Sequence, residues 1–147
     1  MGKGSSKMQV KNIEVFQPTP ITVKVGGEEI KIEKIPAMAT LLFYKDKEKD
    51  GTNSNLVAEI LTFGTIDQSN QNEMIAAAKQ MFVMYENYQD EINKILQICM
   101  KKNQQWIDNH LDLSDITRII SVICTQVIEQ LSFIKKNELT TAEQTAD

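Results

Sequence analysis

The sequence predicts an α+β fold, predominantly α, in which an N-terminal β-hairpin packs on a small helical bundle with one long central helix. Three patterns predict it. Residues Ile21 to Val25 and Glu28 to Ile32 alternate apolar with polar around Gly26-Gly27, the period of a half-buried strand pair. Met74, Ala78, Met81, Tyr85, Tyr88, Ile92, Ile95 and Cys99 follow each other by alternating steps of four and three, the rhythm of helices packed at a shallow angle. Ile116, Ile119, Ile120, Ile123, Val127, Ile128, Leu131 and Ile134 trace the apolar stripe of a second long helix.

Taken in order, residues 1–20 form a flexible leader. Its start matches a myristoylation pattern through Gly2 and Ser6, a reading outweighed by that of an ordinary frayed terminus. The alternation of Ile13 and Val15 within Val10–Phe16 allows a short edge strand, and Pro18 and Pro20 then force extended chain. In the hairpin, glycine at both turn positions accommodates positive φ. That register sets Val23 opposite Ile30, Ile21 opposite Ile32, and Lys24 opposite Glu29. Pro36 opens a helix over about Ala37 to Lys45, with Met38, Leu41, Leu42 and Tyr44 facing inward. The charged run from Lys45 to Asp50, ended by Gly51, reads as a solvated loop. Asn55 or Ser54 caps a short helix through Val57, Ile60 and Leu61, with Gly64 placed to stop it.

The long helix spans about Asn70 to Lys101, and Asn103 to His110, with room for another helical turn carrying Trp106 and Ile107, connects it to a final helix beginning near Ser114. Residues 21–134 thus make one folded domain, followed by a disordered polar tail over 135–147. A chain of 147 residues suits one domain, and 41% apolar residues suffice to bury a core.

Composition narrows the function classes. The net charge is -4 and Arg118 is the one arginine, which disfavours a nucleic-acid partner. No apolar run approaches the roughly 20 residues of a membrane span and the N-terminus has no signal-peptide apolar core, so neither a membrane nor a secretory route is expected. Cys99 and Cys124 lie within helical patterns and read as small apolar core residues. With the lone His110 they offer no metal-ligand spacing, so no metal or cofactor is expected. A nucleophilic triad needs a base held beside a nucleophile, and His110 sits in a connection. Gly26-Gly27 lacks the Lys-Ser or Lys-Thr of a phosphate loop and leads into a strand. The expectation is a protein that binds without catalysing.

Seven methionines and the cluster Phe82, Tyr85 and Tyr88 suit such a role, although the same residues also fill ordinary cores. The candidate binding residues are Met81, Met84, Tyr85 and Tyr88, lining an adaptable apolar groove along the long helix.

Two segments carry a family resemblance. ITVKVGGEEIKIEKIPA, residues 21–37, is a hairpin stepping through Lys-Ile-Pro-Ala into a helix. WIDNHLDLSDITRIISVICTQVIE, residues 106–129, is a Trp, a short spacer and an Ile-rich helix. The order of these parts resembles the tail assembly chaperones of long-tailed bacteriophages, especially those of Gram-positive hosts. The resemblance implies a host-cytoplasmic protein that binds the aggregation-prone tape measure protein and aids assembly of tail tube protein. It also implies absence from the finished virion and a longer frameshifted form. Three other readings remain open. One is a small regulatory or inhibitory protein directed at a host factor, distinguished by pull-down from host lysate. Another is a self-associating structural protein, distinguished by light scattering over a concentration series. The third is a degenerate enzyme, which broad hydrolase screening would reveal.

Overall fold

The computed structural model describes residues 11–63 and 70–146. Among these residues it has five helices and an N-terminal antiparallel hairpin, the predominantly α α+β architecture expected. The leader expectations at residues 1–10 and the stop at Gly64 lie outside the described residues. The elements are β1 (Ile21–Val25), β2 (Glu28–Ile32), α1 (Ala37–Tyr44), β3 (Lys47–Lys49), β4 (Thr52–Ser54), α2 (Leu56–Phe63), α3 (Gln71–Met100), α4 (Gln104–His110) and α5 (Leu113–Ala146).

The first hairpin has the expected register, Ile21 opposite Ile32, Val23 opposite Ile30 and Lys24 opposite Glu29. Only Gly26 takes a positive φ, of 62°, so the turn follows the II′ pattern rather than needing both glycines. Ile30 and Ile32 are buried while Ile21, Val23 and Val25 are half-buried, so the apolar face rests on the helices. Residues 11–16 form no strand. The leader is instead held by α5: the Gln126 side-chain amide donates to the Thr19 carbonyl at 3.0 Å, and the Phe16 ring meets Phe133 edge-on at 5.6 Å.

The run after α1 is not a solvated loop. Asp50 and Gly51 have φ of 53° and 79°, the two positive angles of a type I′ turn, and join β3 to β4. Lys47 Nζ forms an ion pair with Glu91 Oε1 at 2.8 Å. It also donates to the Asn87 carbonyl at 3.0 Å and sits over the Tyr88 ring at 5.3 Å. Lys45 Nζ adds a second cation 3.5 Å from Glu91 Oε2. Glu91 is only 4% exposed. Burial pushes its carboxyl up, but contact with Lys47 and the charges of Lys47 and Lys45 outweigh that and hold it below the ordinary range.

α3 breaks at Tyr88, with φ -121° and ψ 23°. The break adjoins the carbonyl that Lys47 engages, and a side chain inserted at a helix carbonyl is a known cause of bending. The break also divides burial. Tyr88, Glu91, Ile92, Ile95, Leu96, Cys99 and Met100 lie in the core, together with Met84 just before it. The preceding turns do not: Met74, Ile75, Phe82 and Val83 are exposed. The heptad expectation therefore holds for the second half of α3 and fails for the first. Lys101 ends the helix with φ 57°, in the left-handed region where glycine is the usual occupant.

α1 is apolar all round, which leaves its buried face undetermined by periodicity alone. Its buried residues are Ala39 and Phe43; of the four expected inward, Leu42 and Tyr44 are half-buried against the core, whereas Met38 and Leu41 are exposed. Asn55 caps α2 by accepting from the Ala58 amide at 2.9 Å, and Asn70 caps α3 through the Asn72 and Glu73 amides. The cap of α5 is Asp112 rather than Ser114. Its carboxylate accepts from the Asp115 amide at 2.8 Å, while Asp115 accepts from the Asp112 amide at 3.1 Å, a reciprocal box.

Ile116, Ile119, Ile120, Ile123, Cys124 and Val127 place α5 through the core. Contrary to the expectation that no apolar run is long enough, the stretch Leu113–Lys136 is long and apolar enough, by length and composition, to cross a membrane, and part of it is buried in the core. Further on, Leu131 and Ile134 emerge from the core. The helical backbone continues to Ala146, through the region expected to be a disordered tail. Lys, Glu, Leu, Ala and Gln there are strong helix formers, which favours a helical backbone in this stretch.

Candidate protein-binding surface

The four residues expected to line a groove do not share one surface. Met84 is 1% exposed and Tyr88 is 3% exposed; both are core. Met81 and Tyr85 are half-buried, and the Tyr85 hydroxyl donates to Asn93 Oδ1 at 3.2 Å. The heptad reading placed Met84 just outside its stripe, although it lies one turn before Tyr88 on the same buried face. Burial also raises the Tyr88 hydroxyl pKa, with a smaller opposing contribution from Ser54, as expected for a phenol enclosed by packing.

Unsatisfied apolar surface lies elsewhere. A groove of about 510 Å³ runs between the leader, α1 and α5. Val15, Phe16, Leu41, Phe133 and Ile134 give it an apolar lining, and Glu14, Lys34, Thr40 and Gln130 give it a polar margin. Gln130 stiffens the floor: its amide donates to the Ile35 carbonyl at 3.5 Å, and Thr40 Oγ1 donates to its carbonyl at 3.3 Å. Leu41 is 66% exposed and Ile134 is 50% exposed. Full burial of such a side chain is worth about 1.5–3 kcal/mol, so an occupant covering both would gain on the order of 2 kcal/mol from them alone. Met38 and Leu131, on the same two helices, are also exposed. A second apolar surface is the first half of α3, with Met74, Ile75, Phe82 and Val83.

Sequence reasoning missed the groove because it assigned Leu41, Leu131 and Ile134 to the interior. A detectable signal was present: the α5 stripe continues after the helices able to cover it have run out.

The remaining chemistry-bearing residues do not converge. His110 stacks on Trp106 with ring centroids 4.4 Å apart, and its Nδ1–H donates to the Trp106 carbonyl at 2.8 Å. Lys102 lies over the other aromatic partner at this corner, 5.1 Å from the Trp106 ring, and pairs with Glu28 at 2.6 Å. Cys99 and Cys124 are buried, and burial pushes their thiols up to about 12 and about 11, away from the reactive thiolate form. Among the described residues, no three His, Cys, Asp or Glu side chains are grouped to hold a metal ion. Compared with family models, curated proteins and solved structures, the chain matches none of them.

Proposed function

We propose that this chain is a non-catalytic holder of an apolar helical segment of another protein, acting as a phage tail assembly chaperone in the host cytoplasm. The observation that carries the binding role is the open groove of Val15, Phe16, Leu41, Phe133 and Ile134, whose apolar lining and polar margin suit an amphipathic helix. The resemblance of residues 21–37 and 106–129 to tail assembly chaperones supplies the partner, the tape measure protein, with tail tube subunits joining later. A tape measure chain exposes apolar helical stripes until the tube encloses it, and a shallow groove can cover them reversibly. The groove on α1 and α5 replaces the surface first expected along α3.

Co-expression with a tape measure fragment tests this, scored by solubility and pull-down. The wild type is expected to raise the soluble fraction and co-purify with the fragment. Leu41→Asp with Ile134→Asp, both at exposed positions, is expected to remove both effects while the chain itself remains folded. No gain from the wild type, or an undiminished gain from the double variant, overturns the proposal.

A further inference from the structure

A second groove, of about 460 Å³, lies between β1 and α5. Among the described residues β1 pairs only with β2, so its other edge is unpaired. The two-residue turn makes Val25–Glu28 a mutually hydrogen-bonded pair, and such pairs alternate along an antiparallel ladder. Thr22–Lys31 and Lys24–Glu29 are therefore the intervening pairs. The backbone N–H and C=O groups of Thr22 and Lys24 point away from β2, toward the free edge.

The groove beside that edge has a mixed lining. Ile21, Val23, Ile119 and Val122 are apolar, whereas Lys24, Arg118 and Asp115 carry charge. Asp115 is engaged by the Asp112 amide. Lys24 and Arg118 are both exposed, and among the described residues neither has an ion-pair or hydrogen-bond partner. The chain's one arginine, without a partner among the described residues, thus lines the same groove as the unpaired strand edge.

We infer that the β1–α5 groove binds an extended peptide segment alternating apolar and acidic residues, which adds to β1 as a third strand. Main-chain hydrogen bonds to Thr22 and Lys24 would align the segment. Its apolar side chains would rest on Val23 and Val122, and its carboxylates would meet Lys24 and Arg118. Two cations beside a carboxylate suit single acidic groups better than a polyphosphate strand, whose binding needs a longer run of positive charge. This site is separate from the groove on α1 and α5 and does not depend on the role assigned there.

The test uses the full chain and a short fluorescein-labelled peptide alternating valine with glutamate, read by fluorescence anisotropy. Saturable binding is expected, with no binding of the valine–lysine counterpart. Arg118→Glu, on an exposed helical surface, should weaken binding by about tenfold or more by reversing a charge. Thr22→Pro removes a donor that β2 does not use and should abolish binding with the circular dichroism spectrum unchanged. If that variant misfolds, Arg118→Glu decides alone. Equal binding of the lysine peptide, no effect of Arg118→Glu, or displacement of the peptide by oligothymidylate overturns the assignment. So does sedimentation showing that the edge is already covered by a second copy of the chain.

Discussion

Replacing Lys47 by alanine leaves the Glu91 carboxylate enclosed, with the Lys45 ammonium at 3.5 Å as its remaining cation. Two unit charges 2.8 Å apart attract by about 6 kcal/mol at an effective dielectric of about 20. Desolvating the carboxylate offsets several kcal/mol of that. Lys45 remains in place, and the Lys47 side chain is 35% exposed, so water can enter behind it. The expected loss at neutral pH is therefore about 2 kcal/mol, below the roughly 3–5 kcal/mol typical of a broken buried pair. Glu91→Leu removes both the attraction and the desolvation burden, and should stay within about 1 kcal/mol of wild type. The pH dependence has a definite sign. The folded-state pKa of Glu91 is depressed, so its stabilisation is present above the unfolded carboxylate value and is lost as pH falls through the folded value. The Lys47→Ala deficit should shrink over that acidic window. Urea denaturation across a pH series measures it. A deficit below about 0.5 kcal/mol at neutral pH, or one unchanged after acid titration, would refute this account of the clamp.

Three further outcomes are expected. Met84→Ala should cost about 2–4 kcal/mol in chemical denaturation because it empties a core position, whereas Phe82→Ser, two residues earlier, should stay within about 0.5 kcal/mol. Lys101→Gly should raise stability by about 0.5–1 kcal/mol, since the residue holds φ 57° at a helix end where glycine is relieved of Cβ strain; thermal melting reads the shift. Gly26→Ala should lower stability by about 1 kcal/mol through its positive φ alone, because a Cβ there meets nothing within 4 Å; strand signals by NMR check that the register survives.

The first hairpin was legible because two independent features agreed: a glycine pair and apolar alternation on both sides. The second hairpin was not, although Asp50-Gly51 is the standard pair for a type I′ turn. Its strands, Lys47–Lys49 and Thr52–Ser54, contain no apolar residue, so nothing in their pattern distinguished a strand from a loop. What anchors β3 is Glu91, far along the chain on a helix where a carboxylate ordinarily points to water. No local window contains both partners. The groove was hidden for a related reason. Periodicity shows which helical face is apolar, but not how far the neighbouring helices extend to cover it. Ile134 belongs to an apolar stripe that outlasts its partners, and Leu41 to a helix apolar on every side. Met84 and Tyr88 illustrate the reverse case, since both were placed on a binding face and both proved to be needed by the interior.

The break at Tyr88 also has a thermodynamic consequence. Residues 71–83 span about 20 Å of helix at roughly 1.5 Å per residue, with little core contact to fix them. Their fraying would leave the buried half of α3 intact, so amide exchange should be fast before the break and slow after it. Any protein that lies along this exposed segment must bear the entropy of holding it still, about 1–2 kcal/mol for each residue newly ordered. That burden lowers the affinity of anything that docks on this segment relative to a surface already held rigid by the core.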